Sequence, residues 1–322
     1  MPLNLTKLDK ADARLVQAGL KSFGLYDGSL LGVPAAKTKA AYKRYLATLE
    51  DPVEHFEPNL DAQLNYPASV RKEFEFPGEI KEGTKGRKAR QVQEWVSIHG
   101  FKTGIDEEFG PATKRALKLF QEARGITVTG KVNKSTWAEL VAPMNRAFAS
   151  VAPAATLSET VLRVAGQHLR EHPIELGGAN CGPWVRAYMN GNQGAPWMWC
   201  AGFVTFVMKQ AAKIQKASTP IDGSFSCDIL AGQAKDKKKF VSERDLNNKK
   251  VKWSESGLNK CCIFLVRRTN TDWTHTGFAF DFNSDGTFST IEGNTNDEGS
   301  REGYEVCRRI RARSKKDFVL LA

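Results

Sequence analysis

Apolar residues recur along the chain with two different periods, and the change between them divides the sequence. In the first half they fall three and four apart, the spacing of one helix face. Val16, Leu20 and Phe23 follow it, Gly24-Leu25-Tyr26-Asp27-Gly28 breaks it, and a second helix is expected over 38–46. From 50 to 86 no period persists, and Pro52, Pro58, Pro67 and Pro77 mark a connector. A helix carrying Val92, Trp95, Val96 and Ile98 then stops at His99-Gly100. Another opens at Pro111, carries Ala116, Leu117, Leu119 and Phe120, and ends at Gly125. A last one begins near Ser135, whose hydroxyl is expected to cap it, and buries Trp137, Leu140 and Val141.

Residues 145–158, rich in Ala, Pro and Ser, read as a linker. Beyond it come a helix over 161–172, a Gly-rich turn, and a long helix over 200–213. After Trp253 the period drops to two. Segments 262–266, 276–282, 287–292 and 304–307 are apolar or alternating, with Asn283-Ser284-Asp285-Gly286 as a hairpin turn between two of them. Helices first and antiparallel strands second is an α+β layout. At roughly 150 residues per domain, the length implies two domains and a small third module.

Composition adds a charge and removes a membrane. The 47 Lys and Arg against 36 Asp and Glu leave a formal net charge of +11. That favours an anionic partner, either nucleic acid or an acidic polymer such as bacterial cell wall. Two basic runs, Lys235-Asp236-Lys237-Lys238-Lys239 and Arg308-Arg309-Ile310-Arg311-Ala312-Arg313, lack interleaved aromatics. They are expected to be solvated faces, and no nucleic-acid partner is expected. No apolar run is long enough to span a bilayer. The start, MPLNLTKLDKADARL, is charged where a signal peptide needs an apolar stretch, so synthesis in a cytoplasm without a signal peptide is expected. Cys181, Cys200, Cys227, Cys261, Cys262 and Cys307 all lie in the second half, with no pair spaced as CxxC. Neither disulfides nor a zinc site is expected, no cofactor is implied, and most of these thiols read as buried small hydrophobes.

The two helical stretches resemble each other. Gln17, Gly24, Gly28, Gly32, Thr38, Ala41 and Tyr45 run parallel to Gln93, Gly100, Gly104, Gly110, Thr113, Ala116 and Phe120. The second copy resembles the bacterial peptidoglycan-binding-domain-like family. The resemblance rests on Gly100-Phe101, Gly104, Gly110, Thr113, Ala116, Phe120-Gln121, Gly130, Val132 and Thr136-Trp137. It implies a three-helix module over 87–144 and a partial repeat over 1–50, with 51–86 between them. The first copy lacks the last helix and its Trp.

Candidate chemistry gathers in the second half. Cys200 opens a helix, where the positive end of the dipole favours thiolate. Gly202, one turn in, leaves room there for a strand or substrate. His275 starts a strand, sharing a face by alternation with Gly277 and Ala279 while Phe278, Phe280 and Phe282 take the other. Such small neighbours would let a helix approach until thiol and imidazole meet. Glu292 and Asn294 end the next strand, two apart and so on one face, and either could accept from the imidazole's second nitrogen. Asp281 to Gly286 with Glu292 in twelfth place fits a calcium-loop spacing, but its flanks alternate as strands where that loop needs helices, so no metal is expected.

Together these residues resemble the CHAP family, cysteine- and histidine-dependent amidohydrolases and peptidases of bacterial and phage cell-wall hydrolases. The matching residues are Glu175, Gly177-Gly178, Asn180, Gly182-Pro183, Val185, Tyr188, Trp199-Cys200-Ala201, Phe203-Val204, His275, Gly277 and Ile291-Glu292-Gly293-Asn294. The resemblance implies a papain-like α+β catalytic domain over 159–322, with Cys200 as nucleophile, His275 as general base, and Glu292 with Asn294 orienting the imidazole. Trp197, Trp199 and Trp273 are expected to contact substrate. Met198 departs from the usual direct run of Pro-Trp into Cys, and Cys181 is a rival thiol. The resemblance implies an endolysin-like monomer that cuts a peptidoglycan amide bond, made in the host cytoplasm and reaching the wall with a holin or another aid. The alternative is a non-catalytic wall-binding or virion structural protein with a degenerate hydrolase domain.

Overall fold

The structure, a computed structural model, describes residues 5, 8–22, 29–49, 59–248, 250, 260–296 and 303–321. The chain forms two units, residues 1–55 with 296–301 and residues 56–295 with 302–322. In the first, α1 (Lys10–Ser22) and α2 (Ala36–Leu49) bury Leu20 against Ala41. Gln17, buried on α1, donates to Val33 O (2.9 Å) and Thr38 Oγ1 (3.0 Å) and accepts from Gly32 N–H (2.9 Å). Gly32 has φ 70°, and a Cβ there would lie 2.3 Å from Lys10 O, so glycine is required. The expected break at 24–28 lies outside the described residues.

The second unit opens with β1 (Asn59–Gln63), α3 (Ala68–Arg71), α4 (Arg87–Ile98), α5 (Pro111–Ala123) and α6 (Lys134–Leu140). The glutamine device recurs twice. Gln93 donates to Thr113 Oγ1 (3.1 Å) and accepts from the backbones of Asp106 and Glu107. Gln121 donates to Thr136 Oγ1 (3.1 Å) and accepts from Thr129 and Gly130. A buried amide thus gathers each loop and pins the next helix, which is the physical content of the repeat. The cap of α6 is Asn133, whose side chain accepts from Thr136 N–H, and not Ser135, which follows the helix start.

The first half of 145–158, read from sequence as a linker, is packed, while Ala152, Pro153 and Ala155 are exposed. Met144, Ala147, Phe148, Ala149 and Val151 are buried, through α7 (Ala142–Phe148) and β2 (Ala149–Ser150), which pairs with β1. Next come α8 (Leu157–Arg170), α9 (Pro183–Tyr188), α10 (Cys200–Gln215), α11 (Cys227–Asp236), β3 (Phe240–Val241) and α12 (Glu243–Asn247). The sheet is completed by β4 (Cys262–Thr269), β5 (Asp272–Phe280), β6 (Thr287–Thr295), β7 (Glu305–Ala312) and β8 (Lys316–Leu320). Its six strands run β3-β8-β4-β5-β6-β7, antiparallel throughout. An N-terminal helical region therefore precedes an α+β domain whose antiparallel sheet is flanked by helices.

The alternation expected for β5 holds over Gly277 to Phe280, but Phe282 packs with the smaller cluster and the face that receives the helix differs from the sequence expectation. Phe278 and Phe280 face the large core, where Phe203 of α10 meets Phe278 edge-on at 6.0 Å. Ala279 belongs to the smaller cluster with Phe264, Phe288 and Phe318. So aromatics, not the small residues, receive the helix. Gly202 does not make room for a strand or substrate: a Cβ there would fall 2.3 Å from Met189 Sδ and 2.9 Å from Tyr188 O, so its role is to let the end of α9 close on α10.

The helical region and the sheet share one core. Trp95 of α4 meets Trp184 of α9 edge-on at 6.1 Å. Beside them Arg186 is bound by Glu73 (3.0 and 2.8 Å) and Glu94 (3.0 and 2.6 Å), both carboxylates fully buried. No helix among the described residues is long and apolar enough to cross a membrane.

Candidate functional site

Cys200 is the first residue of α10, after Trp199. The local chain is held from two sides. Trp199 stacks on Tyr188 (5.6 Å between rings), and its indole N–H donates to Glu175 Oε1 (2.8 Å). Asn294 turns its amide so that Oδ1 accepts from Trp199 N–H (3.3 Å) while Nδ2 donates to Gly303 O (2.6 Å) and faces Glu175 Oε1 (3.3 Å). Glu175 also accepts from Asn180 N–H (2.7 Å). The Glu175, Asn180 and Asn294 positions of the motif thus brace the start of the cysteine helix. Cys200 itself is 5% exposed.

On the sheet, Phe278 pairs with Ile291, and continuing that register sets Glu292 opposite Gly277 and diagonal to His275. A Cβ on Gly277 would come within 2.8 Å of Glu292 Cγ and of Phe264, so the glycine is what admits the carboxylate. His275 Nε2 is 2.7 Å from Glu292 Oε2, with the His275 side chain 17% exposed and Glu292 fully buried. A pairing shift between Val266–His275 and Arg267–Trp273 lies at the same point, an irregularity of the kind that re-aims a side chain. Nε2 being taken by Glu292, Nδ1 is the nitrogen left for the thiol.

Register alone would bring Asn294 opposite His275. Asn294 instead has φ 53°, beside a shift in the β6–β7 pairing, and turns to the α10 start. The structure therefore separates the two residues that sequence placed together: Glu292 meets the imidazole, and Asn294 meets the helix.

Behind Glu292 stands Arg311, with Nε 2.7 Å from Oε1 and Nη2 2.5 Å from Oε2, while Thr290 Oγ1 donates to Oε1 (2.6 Å). The sequence places Arg311 in a basic run expected to be solvated. The missed signal is alternation on the sheet, since period two aims Arg311 at the same face as Phe288, with which it is in register. Glu292 is thereby committed and cannot serve a calcium loop. The 283–286 turn closes through Asn283 N–H to Thr287 O (2.8 Å).

Cys227 is the other residue that sequence reasoning passes over. It is the first residue of α11, 7% exposed, with its Sγ 3.9 Å from that of Cys200. Ser226-Cys227-Asp228, an N-cap residue followed by cysteine and an acid, is the available sign of a second helix-start thiol. None of the six cysteines is in a disulfide, and Cys181 is the one partly exposed.

The electrostatics are coherent. The hydrogen bond with Cys227 does most to bring the Cys200 thiol well below its ordinary range. Burial opposes it, while the bonding and charge of His275 and the Ala201 N–H assist. Burial alone would lower His275, yet Cys200 and Glu292 more than offset it and push its pKa up to about 9. Burial would likewise raise Glu292, but hydrogen bonds and charge from Arg311 and His275 hold it well below the usual carboxylate range. Cys200, His275, Glu292 and Arg311 thus follow one another in a line, each shifting the next.

The expected substrate tryptophans divide. Trp199 is fully buried and Trp273 is 6% exposed, donating its indole N–H to Asp317 (2.9 Å) under Lys235. Both are core residues, held by stacking and a buried acceptor. Trp197 is partly exposed, edge-on to the exposed Phe225 at 6.3 Å.

Comparison with known proteins bears on the helical region. Residues 85–140 match the family model described as "Putative peptidoglycan binding domain". The zinc D-Ala-D-Ala carboxypeptidase of Streptomyces albus G is 36% identical over 67 residues, 20% of this chain and 26% of that protein. The aligned stretch thus spans about a quarter of that relative's length. Among the described residues, no group of three or more His, Cys, Asp or Glu is placed to hold a metal ion.

Proposed function

We propose that this chain is a peptidoglycan hydrolase that opens an amide bond, in the stem peptide or at the muramoyl–L-alanine link, with Cys200 as nucleophile. The observation that carries the reading is the Cys200–His275–Glu292 line at the start of α10, backed by Arg311. The match of residues 85–140 supports the wall as the substrate.

The thiolate of Cys200 attacks the amide carbonyl carbon, and the carbonyl oxygen takes up the negative charge. Backbone N–H groups at the helix start, on the positive end of its dipole, stabilise that oxyanion. As the tetrahedral species collapses, the C–N bond breaks and the His275 imidazolium gives its proton to the leaving amine. Water then attacks the thioester, with neutral His275 taking its proton, and the carboxylic acid leaves as Cys200 regains thiolate. Glu292 stays ionised throughout and holds the ring's orientation and charge.

Mass spectrometry of fragments released from purified sacculi tests this. One class of amide bond should gain the elements of water. Release by the Cys200→Ala variant equal to that of the natural chain would remove Cys200 from the reaction, and no release by the natural chain would favour instead a wall-binding protein with an inert hydrolase-like domain.

A further inference from the structure

We propose that Cys227 is a positioning residue for Cys200, its S–H donating into the Cys200 sulfur so that the charge of the thiolate is held in place before substrate arrives. The inference rests on reading Cys200 as the nucleophile, and it adds a residue to the machinery proposed for it.

Two helices begin at one point. Cys200 opens the 16-residue α10 and Cys227 the 10-residue α11. Two separate ties bring them there. Thr205 of α10 donates its hydroxyl to Ser224 O (2.8 Å) and accepts from Ser224 N–H (2.9 Å), strapping the loop before α11 to α10. A Cβ on Gly223 would lie 2.5 Å from Thr205 Cγ2, so the strap closes only over glycine, which has φ 84° there. At the other side Asp228 Oδ1 accepts from Trp273 N–H (2.7 Å), fixing α11 on β5 two residues from His275. Cys227 is thus fixed from both sides, with its sulfur 3.9 Å from that of Cys200.

Two thiols in contact cannot share two negative charges, so the first proton to leave decides the state of the pair. The groups that bear on them are asymmetric. Cys200 has His275 of β5, with Glu292 of β6 behind it, and the Ala201 N–H. Cys227 has the Asp228 carboxylate beside it on its own helix. From the remaining helices packed on α10, His168 of α8 bonds Gln210 towards the far end and Tyr188 of α9 bonds that same imidazole. The charge therefore settles on Cys200, and Cys227 keeps its proton and becomes a donor. With Ala201 N–H and His275 also bearing on it, the sulfur is aimed rather than merely ionised.

The test is a pulse of iodoacetamide across pH on the full chain, with each cysteine followed by peptide mapping. In Cys227→Ala the labelling midpoint of Cys200 should move up by about one pH unit, roughly a tenfold loss of thiolate below the midpoint. Cys227→Ser, which keeps a hydroxyl donor, should fall between. An unmoved Cys200 midpoint in Cys227→Ala overturns the proposal. Because coupling is reciprocal, a second measurement stands if Cys227→Ala fails to fold: Cys227 should label at lower pH in Cys200→Ala than in the natural chain. Identical Cys227 profiles in the two also overturn it. Labelling requires no wall substrate, so a chain that shows these shifts but hydrolyses nothing would sink the enzyme reading and leave the thiol pair intact.

Discussion

At the scale of single residues, protonation is the controlling variable. The imidazolium of His275 persists up to about pH 9, whereas the Cys200 thiolate forms well below the ordinary thiol range. The ion pair therefore exists between those limits. Above about pH 9 His275 loses its proton, and with it the donor proposed for the leaving amine, but the thiolate remains. Wall hydrolysis should accordingly fall above that pH while the alkylation rate of Cys200 does not. Glu292→Gln keeps the shape but removes the charge that raises His275. Its imidazole should titrate closer to the ordinary value and the Cys200 labelling midpoint should shift to higher pH. A Cys200 profile in Glu292→Gln that overlays the natural one would remove Glu292 from the account. The same pair bears on stability with a definite sign. A raised histidine pKa contributes stability that is complete below its ordinary value and is lost as pH climbs through about 9.

At the scale of elements, the site depends on where side chains are missing. Gly277 lies under Glu292, and Gly293 faces Phe203 and Trp199, with a Cβ there 2.7 Å from Phe203 Cβ. Gly277→Ala should cost about 1–3 kcal/mol, the range for overpacking a filled interior, read as a lower midpoint in urea. It should also weaken the His275–Glu292 contact, moving Cys200 labelling in the direction of Glu292→Gln. A variant as stable as the natural chain would mean that the strands part easily, and the tight register would not be what seats the carboxylate. Much of this is legible in the sequence. The cysteine at a helix start, the histidine on a strand and Glu292 on the next strand follow from periodicity and cap chemistry. Asn294 departs from its expected place because alternation assumes an extended backbone, which its φ of 53° breaks. The α9, α11 and β8 elements escape a reading of the sequence, because short helices and a terminal strand offer too few turns for a period to emerge. Arg311 is hidden in a run of charges whose members point alternately to opposite faces.

At the scale of the molecule, a buried ion cluster ties α9 to α4 and to the segment after α3. Arg186 on α9 answers Glu73 and Glu94, both fully buried. Arg186→Met would leave Glu73 with Arg87 (2.8 Å) and Glu94 with Arg90 (2.9 Å), so the loss should be smaller than the about 3–5 kcal/mol that an unpaired buried charge costs. Urea unfolding followed by tryptophan fluorescence should show one transition for the natural chain, since Trp95 and Trp184 sit on the two sides of the joint. Two separated transitions in the natural chain would contradict a common core. The nucleophile remains the central claim. Its most direct measurement is the clearing of a purified sacculus suspension by equal amounts of the natural chain, Cys200→Ala and His275→Ala, each with its folding verified. Clearing by the natural chain alone is the predicted result; clearing by Cys200→Ala at the natural rate would contradict it.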